Sequence, residues 1–175
     1  SSRTGASSFT IEGWVKLDDL YATKYLVTKK VSTTSPHERK FDYAFSVCGV
    51  PSSGGATYGR ETEINYREMG LVFGYTSSYW SIRSSLSIDD LNWHFVSVAV
   101  DAVANVARFQ LDKEFDYISF DDRFGRPLGG ETGPLLIGCR WTSGTSYNNG
   151  LKGYVDELKI TKAVVPVPLL LNKAK

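Results

Sequence analysis

The chain has 175 residues and a formal net charge of +1, enough length for one domain with a sizeable core. With the charge balanced, nothing points to nucleic acid or to an anionic membrane as a partner. No apolar run is long enough to cross a bilayer as a helix. Aromatic residues make up 13% of the chain and glycine is frequent, a mixture that favours short strands joined by tight turns. The chain opens at Ser1 with no secretory leader, so a processed product or a piece of a longer polypeptide is expected.

In chain order, residues 1–8 are small and polar and read as a linker or tail. FTIEGWVKL, Phe9–Leu17, alternates with a period of two and predicts a strand. Trp14 makes its second face partly apolar, which suits a strand covered on both sides. Tyr25–Lys30 and Phe41–Val50 are further strands, separated by a polar loop with Pro36. Ser52–Arg60 is a Gly/Ser-rich loop, and Glu61–Glu68 reads as a loop or edge strand. Gly70–Thr76 and Trp80–Leu86 are strands. Trp93–Asp101, WHFVSVAVD, is nearly apolar on both faces and argues for a sandwich. Val106–Lys113 is its hairpin partner, Glu114–Gly130 a long mixed loop, and Gly133–Arg140 a strand.

Trp141–Asn149 reads as a polar and aromatic loop, followed by a two-residue hairpin signal at Asn149-Gly150. The strand after it, ending at Thr161, reads as a central strand to which the upstream strands are partners. Its adjacent Asp156 and Glu157 would lie on opposite faces, so at least one would point into the protein or a groove. Ala163–Lys175 is apolar but contains Pro166 and Pro168, which cannot serve a ladder. It is expected to pack on the sandwich or on a partner. The domain reading is a linker at 1–8, a sandwich at 9–162 and an apolar extension at 163–175. Cys48 and Cys139 lack metal or CxxC spacing. Two half-buried thiols are the simpler reading, with one disulfide open. About ten strands without helical periodicity predict an all-β, two-sheet antiparallel jelly-roll sandwich.

Three blocks carry a family likeness. FTIEGWVKL resembles an F-x-I-x-x-W-V opening strand. NWHFVSVAVD (Asn92–Asp101), followed by Arg108–Asp112, resembles a W-x-H-V-A-V-x-D strand and its hairpin. Pro134–Arg140 and then Gly150–Thr161 resemble an L-x-I-G … G-x-I-D-E-L-R-I ending. In this order they resemble the laminin-G-like, concanavalin-A-like jelly-roll domains. The ending DELKITK (Asp156–Lys162) is especially similar to versions in phage tail and virion proteins and bacterial surface proteins. The likeness implies two sheets of about six or seven strands each with one concave face. It also implies a module that binds glycans or proteins, in some members with calcium at the rim, and on this fold more rarely a glycosidase or lyase. Members have a strand before the opening block that residues 1–8 cannot supply, and a shorter closing segment.

The residues offer three site chemistries. A glycosidase needs two carboxylates ~5–9 Å apart across a groove. No E-x-D-x-E strand exists here; Asp156-Glu157 diverge, and Glu12, Asp101 and Asp112 are single. Arg60–Glu63 lacks the companion motifs of a lyase. His37 and His94 make no triad, and His94 reads as a packed structural residue. No catalytic residue is therefore assigned. No cofactor is expected, although calcium stays open through Asp18, Asp19, Asp89, Asp90, Asp121 and Asp122, hard oxygen donors without a D-x-D-x-D-G loop. Sugar binding needs aromatic rings beside polar groups. Arg140, Trp141, Tyr147 and Asn148 form one such set, Tyr79 and Trp80 a second, Tyr58 and Arg60 a third. The expectation is a non-catalytic attachment module on a virion, extracellular or cell surface. Its partner would be a glycan or a neighbouring protein subunit, without nucleic acid or membrane insertion. A purely structural virion subunit is the alternative.

Overall fold

The computed structural model describes residues 8–21, 23–29, 43–48, 57–59, 68–74, 79–120, 133–143, 146–148 and 150–170. The strands are β1 (Phe9–Leu17), β2 (Lys24–Lys29), β3 (Tyr43–Cys48), β4 (Thr57–Gly59), β5 (Glu68–Gly74), β6 (Tyr79–Ser87) and β7 (Trp93–Asp101). They continue as β8 (Val106–Leu111), β9 (Glu114–Ser119), β10 (Leu135–Ile137), β11 (Arg140–Ser143), β12 (Ser146–Asn148) and β13 (Gly153–Thr161). A single 3₁₀ turn, Val167–Leu169, is the only helical element among the described residues. The first sheet runs β13-β1-β7-β8-β9 and the second β10-β2-β3-β5-β6-β4, while β11 and β12 pair only with each other. Every pairing is antiparallel except β4 with β6. The chain is thus a two-sheet antiparallel sandwich, whose second sheet has the six strands that the family likeness implied and whose first has five.

Period-two alternation explains the core. Ile11, Val15 and Leu17 of β1 and Val96, Val98 and Val100 of β7 point inward from the first sheet. Phe45, Val47, Leu71, Phe73 and Ile82 meet them from the second. Phe9 stacks on Tyr43 with ring centroids 4.9 Å apart, and Phe45 meets Phe109 at 6.4 Å. Each fully buried large apolar side chain contributes roughly 1.5–3 kcal/mol. One side of the sandwich is closed by Asp116 of β9. Its Oδ2 accepts the Ser85 N–H at 2.7 Å and the hydroxyls of Ser84 and Ser85 at 3.1 and 3.0 Å. That carboxylate ties the edge of the first sheet to β6 of the second.

The outer face of the first sheet is covered by the chain's own C-terminal segment. Thr10 Oγ1 donates to the Ala163 carbonyl at 2.8 Å and accepts the Val165 N–H at 2.9 Å. The Arg108 guanidinium donates to the Val165 carbonyl at 2.7 Å. Val165 and Leu170 pack with Trp14 and Phe95 into a second apolar cluster. The expectation that Trp14 marks a strand covered on both sides is met, and the apolar extension through Leu170 lies on the sandwich. Its two prolines are accommodated because the segment joins no sheet ladder.

Several local expectations are corrected. The strand at Gly153–Thr161 is an edge, bonded only to β1, because β7 lies on the other side of β1. Asp156 and Glu157 are both exposed: Glu157 adopts φ 51° and the β1 register shifts there, so a β-bulge breaks the alternation. Asp156 Oδ1 accepts the Glu157 N–H at 2.8 Å and holds the bulge. Opposite it stands Gly13, where a Cβ would lie 3.2 Å from Leu158 Cα. Asn149-Gly150 does not join paired strands, since β12 pairs with β11 and β13 with β1. Asn149 itself is outside the described residues. Residues Glu114–Ser119 form a strand where a loop was expected. Thr57–Gly59 also pairs as a strand within the expected Ser52–Arg60 loop.

Candidate functional site

The two bonds that support the Arg140–Asn148 segment come first in the chain of cause. Gly138 N–H donates to the Leu26 carbonyl of β2 at 2.9 Å, and Leu151 N–H donates back to the Gly138 carbonyl at 2.6 Å. Together they close the base of the segment and pin it to the second sheet. Gly138 takes φ 73° at this point, a backbone state that costs a glycine little. Above the base, β11 and β12 pair so that Arg140 is opposite Asn148 and Trp141 opposite Tyr147. All four residues nominated there from sequence therefore fall in one short hairpin, as two directly opposed pairs. The loop expected at Trp141–Asn149 is a strand pair instead, because alternate Trp, Ser and Tyr residues suit a pleated ladder.

The other nominated residues are placed on the second sheet. Tyr79 and Trp80 open β6 opposite Gly74 and Phe73, and Tyr58 of β4 is opposite Ile82. β4 and β6 are neighbours, so Tyr58, Tyr79 and Trp80 share one edge of the sheet. The hairpin rises from the opposite edge, next to β10 and β2. The side chains of these seven residues, and the whole of Arg60, lie outside the described residues.

Between those two edges the outer face of the second sheet mixes small residues with the buried Tyr25, Val72 and Arg83. One cross-strand row runs Tyr25, Ser46, Gly70, Arg83 and Gly59; the next runs Thr28, Ala44, Val72, Ser81 and Thr57. Ser46 Oγ donates to the Gly70 carbonyl at 3.1 Å. Arg83 Nε and Thr28 Oγ1 are buried without a hydrogen-bond partner among the described residues.

Several of the carboxylates considered for catalysis or calcium have structural partners among the described residues. Asp101 Oδ1 accepts the N–H groups of Val103 and Ala104 at 2.9 Å and shapes the β7–β8 turn. Glu12 is fully buried, with Lys159 Nζ 3.6 Å from its Oε1. Asp19 is 2.6 Å from the buried Lys24 ammonium, which with the Tyr21 N–H lowers its pKa. Among the described residues no three of His, Cys, Asp and Glu converge where a cation would sit. Asp121 and Asp122, like His37 and Glu61–Glu63, are outside the described residues. Cys139 is a free, half-buried thiol.

His94 is a clasp. Its Nδ1 lies 2.8 Å from Asp112 Oδ2 and its Nε2 2.9 Å from Asp90 Oδ1, joining the β6–β7 connection to the β8–β9 turn. Asp112 also accepts the Phe95 N–H at 2.8 Å. Burial pulls the imidazole pKa down, but the hydrogen bonds and charges of Asp112 and Asp90 outweigh it and leave the pKa raised. Asp90 is lowered in turn, by the Asn92 N–H first and His94 second. A raised histidine stabilises the fold fully below its unfolded pKa of about 6.5, and that contribution fades as pH climbs through the folded value. The urea midpoint is therefore expected to fall as pH rises above about 6.5, and the fall to flatten in His94→Gln. Equal pH slopes for both proteins would remove the clasp from the account.

No protein-family model and no curated protein matches the sequence. Solved structures do resemble the fold. The CBM40 of a Ruminococcus gnavus IT-sialidase superposes with a TM-score of 0.66 at 12% identity, over 95% of this chain and 82% of that one. The same CBM40 bound to α2,3 sialyllactose gives 0.60 at 12% identity, over 95% and 81%. Domain 4 of AbnA, a GH43 extracellular arabinanase from Geobacillus stearothermophilus in complex with arabinotriose, gives 0.56 at 17% identity, over 93% and 64%. At these identities the likeness is one of fold, a jelly-roll sandwich of the concanavalin-A-like kind.

Proposed function

We propose that the chain is a non-catalytic glycan-binding module carried on a larger extracellular, cell-surface or virion assembly. The observation that carries this reading is the β11–β12 strand pair, in whose register Trp141 is opposite Tyr147 and Arg140 opposite Asn148 on a ladder pinned at its base. Aromatic rings give a sugar ring's C–H face an apolar seat, and the register sets two such residues directly opposite each other in one ladder. Strand backbones hold such groups more firmly than a free loop would. The likeness to modules solved with sialyllactose and arabinotriose supports the ligand class. The likeness of DELKITK to phage and bacterial surface proteins supports the setting. The alternative of a structural subunit drew on an apolar tail docked on a neighbour, and that tail lies on its own sheet as far as Leu170.

An array of neutral and acidic oligosaccharides tests the reading. Binding by the wild-type chain is expected, weakened about tenfold by Trp141→Ala, the scale of one well-seated aromatic contact. Silence across the array, or wild-type binding by Trp141→Ala, would count against it.

A further inference from the structure

The first sheet's outer face is covered along most of its length but not at one end. Counting along β1, Thr10, Glu12 and Trp14 are buried beneath the C-terminal segment or beside it. The next outward position is Lys16, and there the cover stops. Register places Trp93 of β7 on one side of Lys16 and Tyr154 of β13 on the other. The two rings flank the lysine with centroids 6.4 Å apart and planes tilted by 47°. Trp93 is 36% exposed and Tyr154 60%, high values for aromatic residues within strands.

The charge at this ledge is uncommitted. Among the described residues no carboxylate pairs with Lys16. Asp19 is already held by Lys24 and approached by Lys152, and Asp90 by His94. Asp18 is exposed at the end of β1, its N–H bonded to the Lys152 carbonyl. A second exposed aromatic pair, Phe115 and Tyr117 of β9, serves as a contrast. Its cross-strand neighbours are Gln110 and Arg108, whose head groups donate to the Asp112 and Val165 carbonyls. Of the two, the Trp93–Lys16–Tyr154 ledge sets partly exposed rings beside a cation that no described carboxylate holds.

We propose that the Trp93–Lys16–Tyr154 ledge is a second binding site, taking a carboxylate-bearing sugar whose ring lies on Tyr154 and Trp93 and whose carboxylate meets the Lys16 ammonium. The ledge shares its ligand class with the function proposed above but uses none of the hairpin's residues, so either can fail alone. An aromatic seat without the cation would take neutral sugars equally well. The Lys16 ammonium beside the rings selects the acid, and its charge draws the ligand in at low salt.

The test follows the Trp93 indole N–H and Lys16 amide resonances of the full chain. The probes are trigalacturonate and 3′-sialyllactose, with trigalacturonate methyl ester and lactose as their neutral counterparts. Both resonances are expected to move with at least one acid and with neither neutral probe. Tyr154→Ala and Lys16→Gln are expected each to weaken that response about tenfold, with the rest of the spectrum unchanged as the check on folding. Failure of both acids, equal response to the neutral probes, or indifference to both substitutions would overturn the proposal. Because the readout is local to the ledge, a response elsewhere that spares Trp93 would leave the hairpin reading standing while removing this one.

Discussion

Gly153→Ala is expected to cost the fold ~3 kcal/mol, the scale of a forced backbone strain plus overpacking. Gly153 begins β13 at φ 142°, a region closed to residues with a side chain. An added Cβ would overlap the Lys16 carbonyl oxygen and lie 3.0 Å from Leu17 Cα, both backbone atoms of the neighbouring strand. Neither can yield without parting β1 from β13, where Leu17 is paired with Gly153. Urea unfolding measures the effect. A loss below about 0.5 kcal/mol, ordinary for a harmless surface change, would mean that β13 does not start as described.

The second large effect is expected from truncation after Lys162. Removing the C-terminal segment uncovers Trp14 and Phe95 and deletes their partners Val165 and Leu170. It also strips three hydrogen bonds that fasten the segment to Thr10 and Arg108. Losing two buried aliphatic anchors costs roughly 3–6 kcal/mol at about 1.5–3 each, a large part of a typical domain's stability. The truncated chain is expected to unfold at a much lower urea concentration and to bind a dye for exposed apolar surface. Wild-type stability after truncation would contradict the role of this segment as the sandwich's own third layer.

The elements easiest to read from sequence were those with one dominant constraint. β1 and β7 are recovered to the residue because alternation and length leave no other element that buries both faces. Trp14 on the nominally polar face of β1 foretold an outer layer, though not what supplies it. β9 was missed because it is an edge strand whose pattern is inverted. Phe115 and Tyr117 face outward while Asp116 turns towards β6, so its aromatics and acid read as loop composition. The bulge at Glu157 was hidden for another reason: positive φ at a glutamate leaves no local sequence sign, and its enabling residue, Gly13, lies in a different strand.

The candidate sites divide in the same way. The Arg140–Asn148 cluster was legible because all its members are close in sequence. The pairing that opposes them was not, since Ser143 and Ser146 carry no strong pairing signal in the sequence. The Trp93–Lys16–Tyr154 ledge draws one residue from each of three strands far apart in the chain. Each was read as an ordinary strand residue, and only the register of the sheet brings them together.

A titration followed by backbone amide resonances, using the tightest ligand from the oligosaccharide array, separates a glycan-holding module from a mere structural sandwich. Saturable shifts concentrated in Arg140–Ser143 and Ser146–Asn148 are the predicted result. Shifts absent at every concentration, or centred on strands remote from both the hairpin and the Lys16 ledge, would contradict it.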